Sequence, residues 1–433
     1  MKIRKKDIAG CFVVFAGVIL ASWLFLILSA SIPNAKLQDN MIKSALTYAQ
    51  EDAFSHRDGR KMNGVADNYA DSIWLNVAWY MGKGNPIMST MQTLYYDGEE
   101  YGENIGLYLA VSDEGTQPNT DYTRYWHGTA GFIRILHLFT DVNGVKAIGF
   151  AVTLILVAII VFLLQKEKNT LLAVSFVLSL CMIKVWNIRF SMEYQPAFIL
   201  AFILCILYIA FEKKGDRYLL FFSTAGGAFI AFFDFLTTET MTILLPLIFT
   251  MTIRAKRNVK LSFIENLRFV IIQIMAWVSS YAMCFLTKWS MASLLTGENQ
   301  FALAMQSVGN RVSGIMSEDS EISRWQQMLV APAANISILL GSEKRIDGRL
   351  LILGTFLIVF FLSIGIYMCF RNKEKRSTTL TLLLLGCVIL FRYIFLSNHS
   401  YMHAFFTYRG MISLIMAIFS VYIVRLDLKE ACE

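Results

Sequence analysis

Ten apolar runs, each roughly the twenty residues a helix needs to cross about 30 Å of hydrocarbon, occupy most of this 433-residue chain and leave few folds open to it. They fall at about 11–32, 146–165, 169–186, 194–211, 218–235, 238–253, 267–287, 350–370, 378–396 and 403–424. In lipid, backbone polar groups find partners only within helices or closed barrels, and runs this long and continuous are helical rather than alternating. Composition agrees: 56% hydrophobic and only 16% charged residues, with a mean hydropathy of +0.52, describe a polytopic all-α membrane protein.

The net charge of +7 does not point to nucleic acid, because Lys and Arg gather in short clusters between apolar runs. Lys2, Arg4, Lys5 and Lys6 precede the first run. Each even-numbered run is followed by a cluster: Lys166 and Lys168; Lys213, Lys214 and Arg217; Arg254, Lys256 and Arg257; Arg371, Lys373, Lys375 and Arg376; Arg425 and Lys429. Ten helices with both termini cytoplasmic satisfy the positive-inside rule at every one of these loops, in a multi-pass protein of the cell (plasma or inner) membrane. The first run exceeds the roughly 7–15 apolar residues of a cleaved signal, so it is read as a retained helix. Between Thr237 and Thr242 the fifth and sixth runs meet with almost no loop, where a re-entrant turn is the rival to two full spans.

This divides the chain into a first transmembrane helix (1–32), an outer segment (33–144), transmembrane helices 2–7 (145–287), a second outer segment (288–349), and helices 8–10 with a cytoplasmic tail (350–433). Residues 33–144 hold eight Lys and Arg against fourteen Asp and Glu, a balance of minus six, opposite in sign to the whole chain. Within them Leu37–Glu51 and Asp71–Met81 read as amphipathic helices lying on the membrane, with Trp74 and Trp79 at the interface. The seven cysteines, at 11, 181, 205, 284, 369, 387 and 432, all avoid the outer segments, so disulfides do not order them.

Chemistry-bearing residues converge on the outer side. The stretch Ala66–Leu75, ADNYADSIWL, sets Asp67 and Asp71 four residues apart, on one face of a helix. Either can be a helix N-cap, and either can be a general base. All five histidines, 56, 127, 137, 399 and 403, lie on or near this side, with Arg124, Arg189, Glu193, Asp234, Glu239 and Arg409. His399 and His403 are spaced for a metal on one helical face, but no third ligand accompanies them, and no metal or other cofactor is indicated. Arg409 enters the last span, where an unpaired charge costs about 2.5 kcal/mol or more, so it should face a polar cavity or a phosphate unless it snorkels to the headgroups. Asp234 sits at the outer end of the fifth span beside Glu239, with Arg189 or Lys184 as expected ion-pair partner. Among the motifs sought, no Walker loop, HExxH, CxxC or GxSxG occurs.

The arrangement resembles the GT-C superfamily of membrane glycosyltransferases: a first helix with its N-terminus inside, a long acidic outer loop holding Asp67 and Asp71, many further spans, and a second outer loop before the last ones. The segments RYWHG (Arg124–Gly128), FDFLTT (Phe233–Thr238) and NHSYMHAFFTYRG (Asn398–Gly410) are also similar to uncharacterised bacterial membrane proteins of this build. The resemblance implies transfer of a sugar from a polyprenyl-phosphate donor to an envelope acceptor, with Asp67 or Asp71 as base. Arg124, His127, His403 and Arg409 would then serve the phosphate, Asp234 and His399 would join them in binding substrate or phosphate, and membrane lipid would be the other partner. A lipid or glycan transporter, or an assembly protein without chemistry, is the alternative; a transporter is expected to show pseudo-symmetric halves and smaller outer loops.

Overall fold

The computed structural model describes residues 3–113, 115–234, 236–257, 259, 261–313, 323–371 and 375–430; Lys2, Lys373 and Cys432 lie outside the described residues. Helix dominates. After α1 (Lys5–Ala30) come α2 (Gln38–Ala49), α3 (Asn68–Met81), α4 (Pro86–Met91), α5 (Gly102–Ser112) and α6 (Gly128–Leu136). Among them lie two small two-stranded antiparallel sheets, β1 (Phe54–His56) with β2 (Val65–Asp67) and, across α5, β3 (Leu94–Tyr95) with β4 (Thr120–Asp121). Then follow α7 (Val142–Lys166), α8 (Thr170–Met182), α9 (Gln195–Phe211), α10 (Asp216–Phe233), α11 (Met241–Lys256) and α12 (Phe263–Thr296). The chain closes with α13 (Gln300–Ser313), α14 (Arg324–Leu339), α15 (Gly348–Arg371), α16 (Arg376–Phe395), α17 (Ser397–Met402), α18 (Ala404–Thr407) and α19 (Ile412–Glu430).

The expected apolar runs are largely helical, and among the described residues seven stretches are long and apolar enough to cross a membrane: Lys5–Ala30, Val142–Lys166, Gln195–Lys214, Phe263–Thr296, Gly348–Phe370, Arg376–Phe395 and Ala404–Arg425. Helices α8, α10 and α11 do not meet that measure. Helix α11 is too short at 16 residues, and every residue from Met241 to Ala255 is buried. Surrounded by protein, it carries Thr242, Thr250 and Thr252 at no cost in lipid, since Thr250 and Thr252 bond carbonyls one turn back. Helix α10 carries Gly226 and Gly227, whose missing side chains let it approach Leu204 of α9 and the Trp277 backbone of α12. Helix α12, at 34 residues, is about 50 Å long and outruns the expected span.

The clusters of Lys and Arg at one end are knitted to acids. Arg254 reaches Glu212 at 2.9 Å and Asp216 at 2.5 Å, Arg257 reaches Glu167 at 2.5 Å, and Lys213 reaches Glu167 at 2.9 Å. These pairs hold the ends of α7, α9, α10 and α11 together.

At the other end the α2–α6 segment is a packed layer. Helix α2 is amphipathic as expected, burying Met41, Ala45 and Tyr48. Helix α3 corrects the surface-helix expectation: twelve of its fourteen residues are buried, Trp74 and Trp79 among them at 2% and 5% exposure. Its apolar and aromatic residues run all round, which suits a helix enclosed on every side. The fully buried Arg134 guanidinium ties this layer down, donating to Ser29 O (2.9 Å), Asn34 Oδ1 (2.8 Å) and Ala78 O (2.7 Å), at the ends of α1 and α3.

Candidate functional site

The junction of β2 and α3 places Asp67. The β1/β2 hairpin pairs Phe54 with Asp67, and the chain then turns into α3 with Asp67 as N-cap, its carboxylate accepting from Ala70 N–H at 2.9 Å. Its own N–H donates to Ser191 Oγ at 2.7 Å. One turn later Asp71 plays a different part. Tyr48 OH (2.7 Å) and the N–H groups of Met192 (3.0 Å) and Glu193 (3.2 Å) all donate to it, so its carboxylate fastens α2 and α3 to the loop before α9. Both aspartates are buried, at 2% and 0% exposure.

That loop delivers Glu193, which is buried against Asp67 and shares a hydrogen bond with it. Two adjacent carboxyl groups cannot both ionise cheaply, so a proton is retained between them. Burial, with the nearby Asp71 charge, pushes Asp67 up to about 7, and burial and the Asp67 charge raise Glu193 well above the usual carboxylate range. Tyr194 follows, its OH donating to Val65 O at 3.0 Å. Over its ring, 4.5 Å from the centroid, lies the Arg409 guanidinium, 1% exposed. Among the described residues Arg409 makes no well-aligned hydrogen bond, its polar contact being a weak one to the Tyr408 hydroxyl. A buried guanidinium set over the rings of Tyr194 and Tyr408 is an anion site in form.

The remaining charges flank this centre. Asp234 is buried and accepts from Thr237 N–H (2.9 Å) and Thr237 Oγ1 (2.5 Å), close enough to Glu193 for their charges to interact. Glu239 is gripped by Arg392, with Nε at 3.0 Å and Nη2 at 3.1 Å, while Nη1 of Arg392 donates to Ser400 Oγ at 2.9 Å. The expected partners of Asp234 are elsewhere: Lys184 pairs with Asp58 at 2.7 Å, and Arg189 lies over Phe190. The His399 and His403 rings stand 4.7 Å apart, His403 stacked on Phe406, which itself meets Tyr194. Among the described residues no group of three or more His, Cys, Asp or Glu is arranged to hold a metal ion.

Asp67, Asp71, Asp234, His399, His403 and Arg409 therefore come together, across more than 300 residues of sequence. Arg124 and His127 do not join the centre. His127 adopts a left-handed backbone (φ +54°) before α6, and its Nε2–H donates to Tyr122 O, 3.0 Å away. Burial, with Lys288 and Arg124 nearby, pushes it down to about 3. Arg124 sits over the Tyr122 ring at 4.2 Å, on the rim of a cavity of about 410 Å³. Trp277, Tyr281, Phe285 and Trp289 wall this cavity, and Glu239 and Thr240 lie at its polar side. Glu193 carried no assigned role in the sequence reading, and Tyr194 and Arg392 were missed. The signal available for Arg392 was a lone arginine inside an apolar run.

The protonation of the pair sets a pH dependence. Asp67 binds its proton up to about pH 7 when folded but, with an ordinary value of 3.8, sheds it sooner when unfolded. The folded state therefore binds more protons above about pH 4, stability falls as pH rises through about 7, and Glu193, raised further still, extends the fall beyond it. Melting curves at pH 5 and pH 8 should show this fall, and Asp67→Asn should flatten it.

Comparison with protein-family profiles, with curated proteins and with solved structures finds no match to this chain.

Proposed function

We propose that this chain is a membrane glycosyltransferase of the GT-C kind, moving a sugar from a polyprenyl-phosphate donor to an envelope acceptor at the outer face of the cell membrane. The observation that carries the reading is the buried Arg409 guanidinium, which makes no well-aligned hydrogen bond among the described residues, close to the Asp67–Glu193 carboxyl pair. The chemistry needs both parts. The acceptor hydroxyl attacks the anomeric carbon, its proton passes to the ionised member of the pair, and the bond from that carbon to the phosphate oxygen breaks. The electron pair leaves with the phosphate, whose added charge the Arg409 fork can receive through two parallel N–H donors. The aromatic cavity rimmed by Arg124 suits the donor's isoprenoid tail.

One feature favours a second reading, proton-coupled transport: a buried carboxyl held near 7 is what a proton carrier also requires. The two separate in a reconstituted bilayer. Transfer from a radiolabelled polyprenyl-phosphate sugar to a lipid or glycan acceptor supports the transferase, whereas substrate flux driven by a pH gradient, with no covalent product, supports the transporter.

The outward orientation is tested by labelling, in a chain freed of its native cysteines. A membrane-impermeant maleimide should modify Glu100→Cys in intact cells and Lys166→Cys only after permeabilisation, since both positions are exposed and lie at opposite ends of the helices. The reverse pattern inverts the topology and moves the chemistry to the cytoplasm.

A further inference from the structure

A second pocket lies on the outer flank of α7, away from the Arg409 centre. Its volume is about 550 Å³, and its upper part is polar: Glu51, Arg57, Asn143, Lys146 and Arg189. The acid there is already committed, because Glu51 is ion-paired to Arg57 and accepts from Asn68 Nδ2 at 2.9 Å. Two further cations border the pocket, of which Lys146 also faces the Asp71 carboxylate across Tyr48. Lys146 Nζ lies 3.4 Å from Tyr48 OH and 5.2 Å from its ring centroid. Arg189 has neither a hydrogen bond nor an ion pair among the described residues, and its guanidinium stands 5.4 Å over the Phe190 ring.

Below this basic part the pocket becomes apolar. Ala147, Phe150, Ala151 and Leu154 follow one another at helical spacing, so they form a single stripe down α7. Leu154 is 47% exposed on a helix that is apolar enough to span a membrane and has only 17% of its core window buried. The stripe therefore meets lipid, and the cations stand where the helix leaves the hydrocarbon. Charge above and an apolar trough beneath match one amphiphile, with its phosphate uppermost.

We infer that this pocket binds a membrane phospholipid with an anionic headgroup, its phosphate between Lys146 and Arg189 and one acyl chain along Ala147–Leu154. A soluble phosphate would use the cations and leave the trough empty. The inference does not depend on the chemistry proposed for the Arg409 centre.

The test uses the full chain purified from bilayers of phosphatidylcholine mixed with phosphatidylglycerol, with bound lipid read by native mass spectrometry. Wild type should retain phosphatidylglycerol in preference to phosphatidylcholine. Arg189→Gln, at an exposed position, should weaken that retention about fivefold, the worth of one surface cation toward an anionic lipid. Ala151→Trp, also exposed, should fill the trough and weaken it without changing charge. Wild-type retention in either variant overturns the inference. So does displacement of the lipid by inorganic phosphate at matched phosphate concentration, since the trough would then contribute nothing.

Discussion

Arg409→Lys is expected to lower sugar transfer by about 10²-fold or more while leaving the protein folded, because Lys keeps the charge but loses the planar fork that receives a phosphate at two oxygens. Asp67→Asn should match it in size for a different reason. Asn keeps the cap on Ala70 N–H but takes no proton from the acceptor, so a loss of about 10²-fold falls on the chemical step. Its stability should hold or rise above pH 7, where wild type must ionise a buried carboxyl beside Glu193. Asp71→Asn should behave in the opposite way. An amide NH₂ cannot accept from all three donors now satisfied by the carboxylate, so stability should drop by about 2 kcal/mol, with transfer little changed per folded molecule. Transfer rates normalised to folded protein, with melting temperatures in the same lipid, separate the three. Full activity in Arg409→Lys would remove the phosphate role, and full activity in Asp67→Asn would remove the base.

The other large effect is expected at Arg392 and Glu239, where each side chain is only 5% exposed and the pair is held at two points. Glu239→Ala leaves a guanidinium buried opposite no charge, and a loss of about 4 kcal/mol is expected. Arg392→Met in the same chain removes the stranded charge and should recover most of it, since a buried pair and an apolar replacement of similar volume are often close in free energy. Thermal melts of both single variants and the double variant close this cycle. A double variant no more stable than Glu239→Ala would mean that the bonds of Arg392 to Ser400 and Leu236 O, rather than the ion pair, carry the stability.

The helical runs and their basic ends were legible because lipid imposes one backbone solution and a charge rule on the loops. What surrounds a helix was not legible. The aromatic content of α3 reads equally as an interfacial helix or as an enclosed one, and only the packing of α2, α5 and α6 around it decides. The two aspartates look equivalent by spacing. They differ because Tyr48 and the 192–193 backbone stand opposite one and Glu193 opposite the other. Arg392 and Glu239 are 153 residues apart, and nothing local to either marks the other.

The short stretch Met62–Asp71 carries a consequence for how the molecule is made. Besides bonds back to earlier residues such as Tyr48, it bonds forward along the chain: Asp67 N–H to Ser191 Oγ, Asp71 to the N–H groups of Met192 and Glu193, Met62 N–H to Ser342 O, and Asn63 Nδ2 to Ile338 O. Each forward partner emerges from the ribosome later than the group it completes, and Arg409 emerges later still. During synthesis the early segment must wait, tethered beside the bilayer with its carboxylates hydrated, through most of the insertion of the chain. Chains halted before residue 191 can make none of these forward bonds, and chains halted before residue 409 lack the cation. The centre thus acts as a completion mark, formed only when the final helix has been delivered.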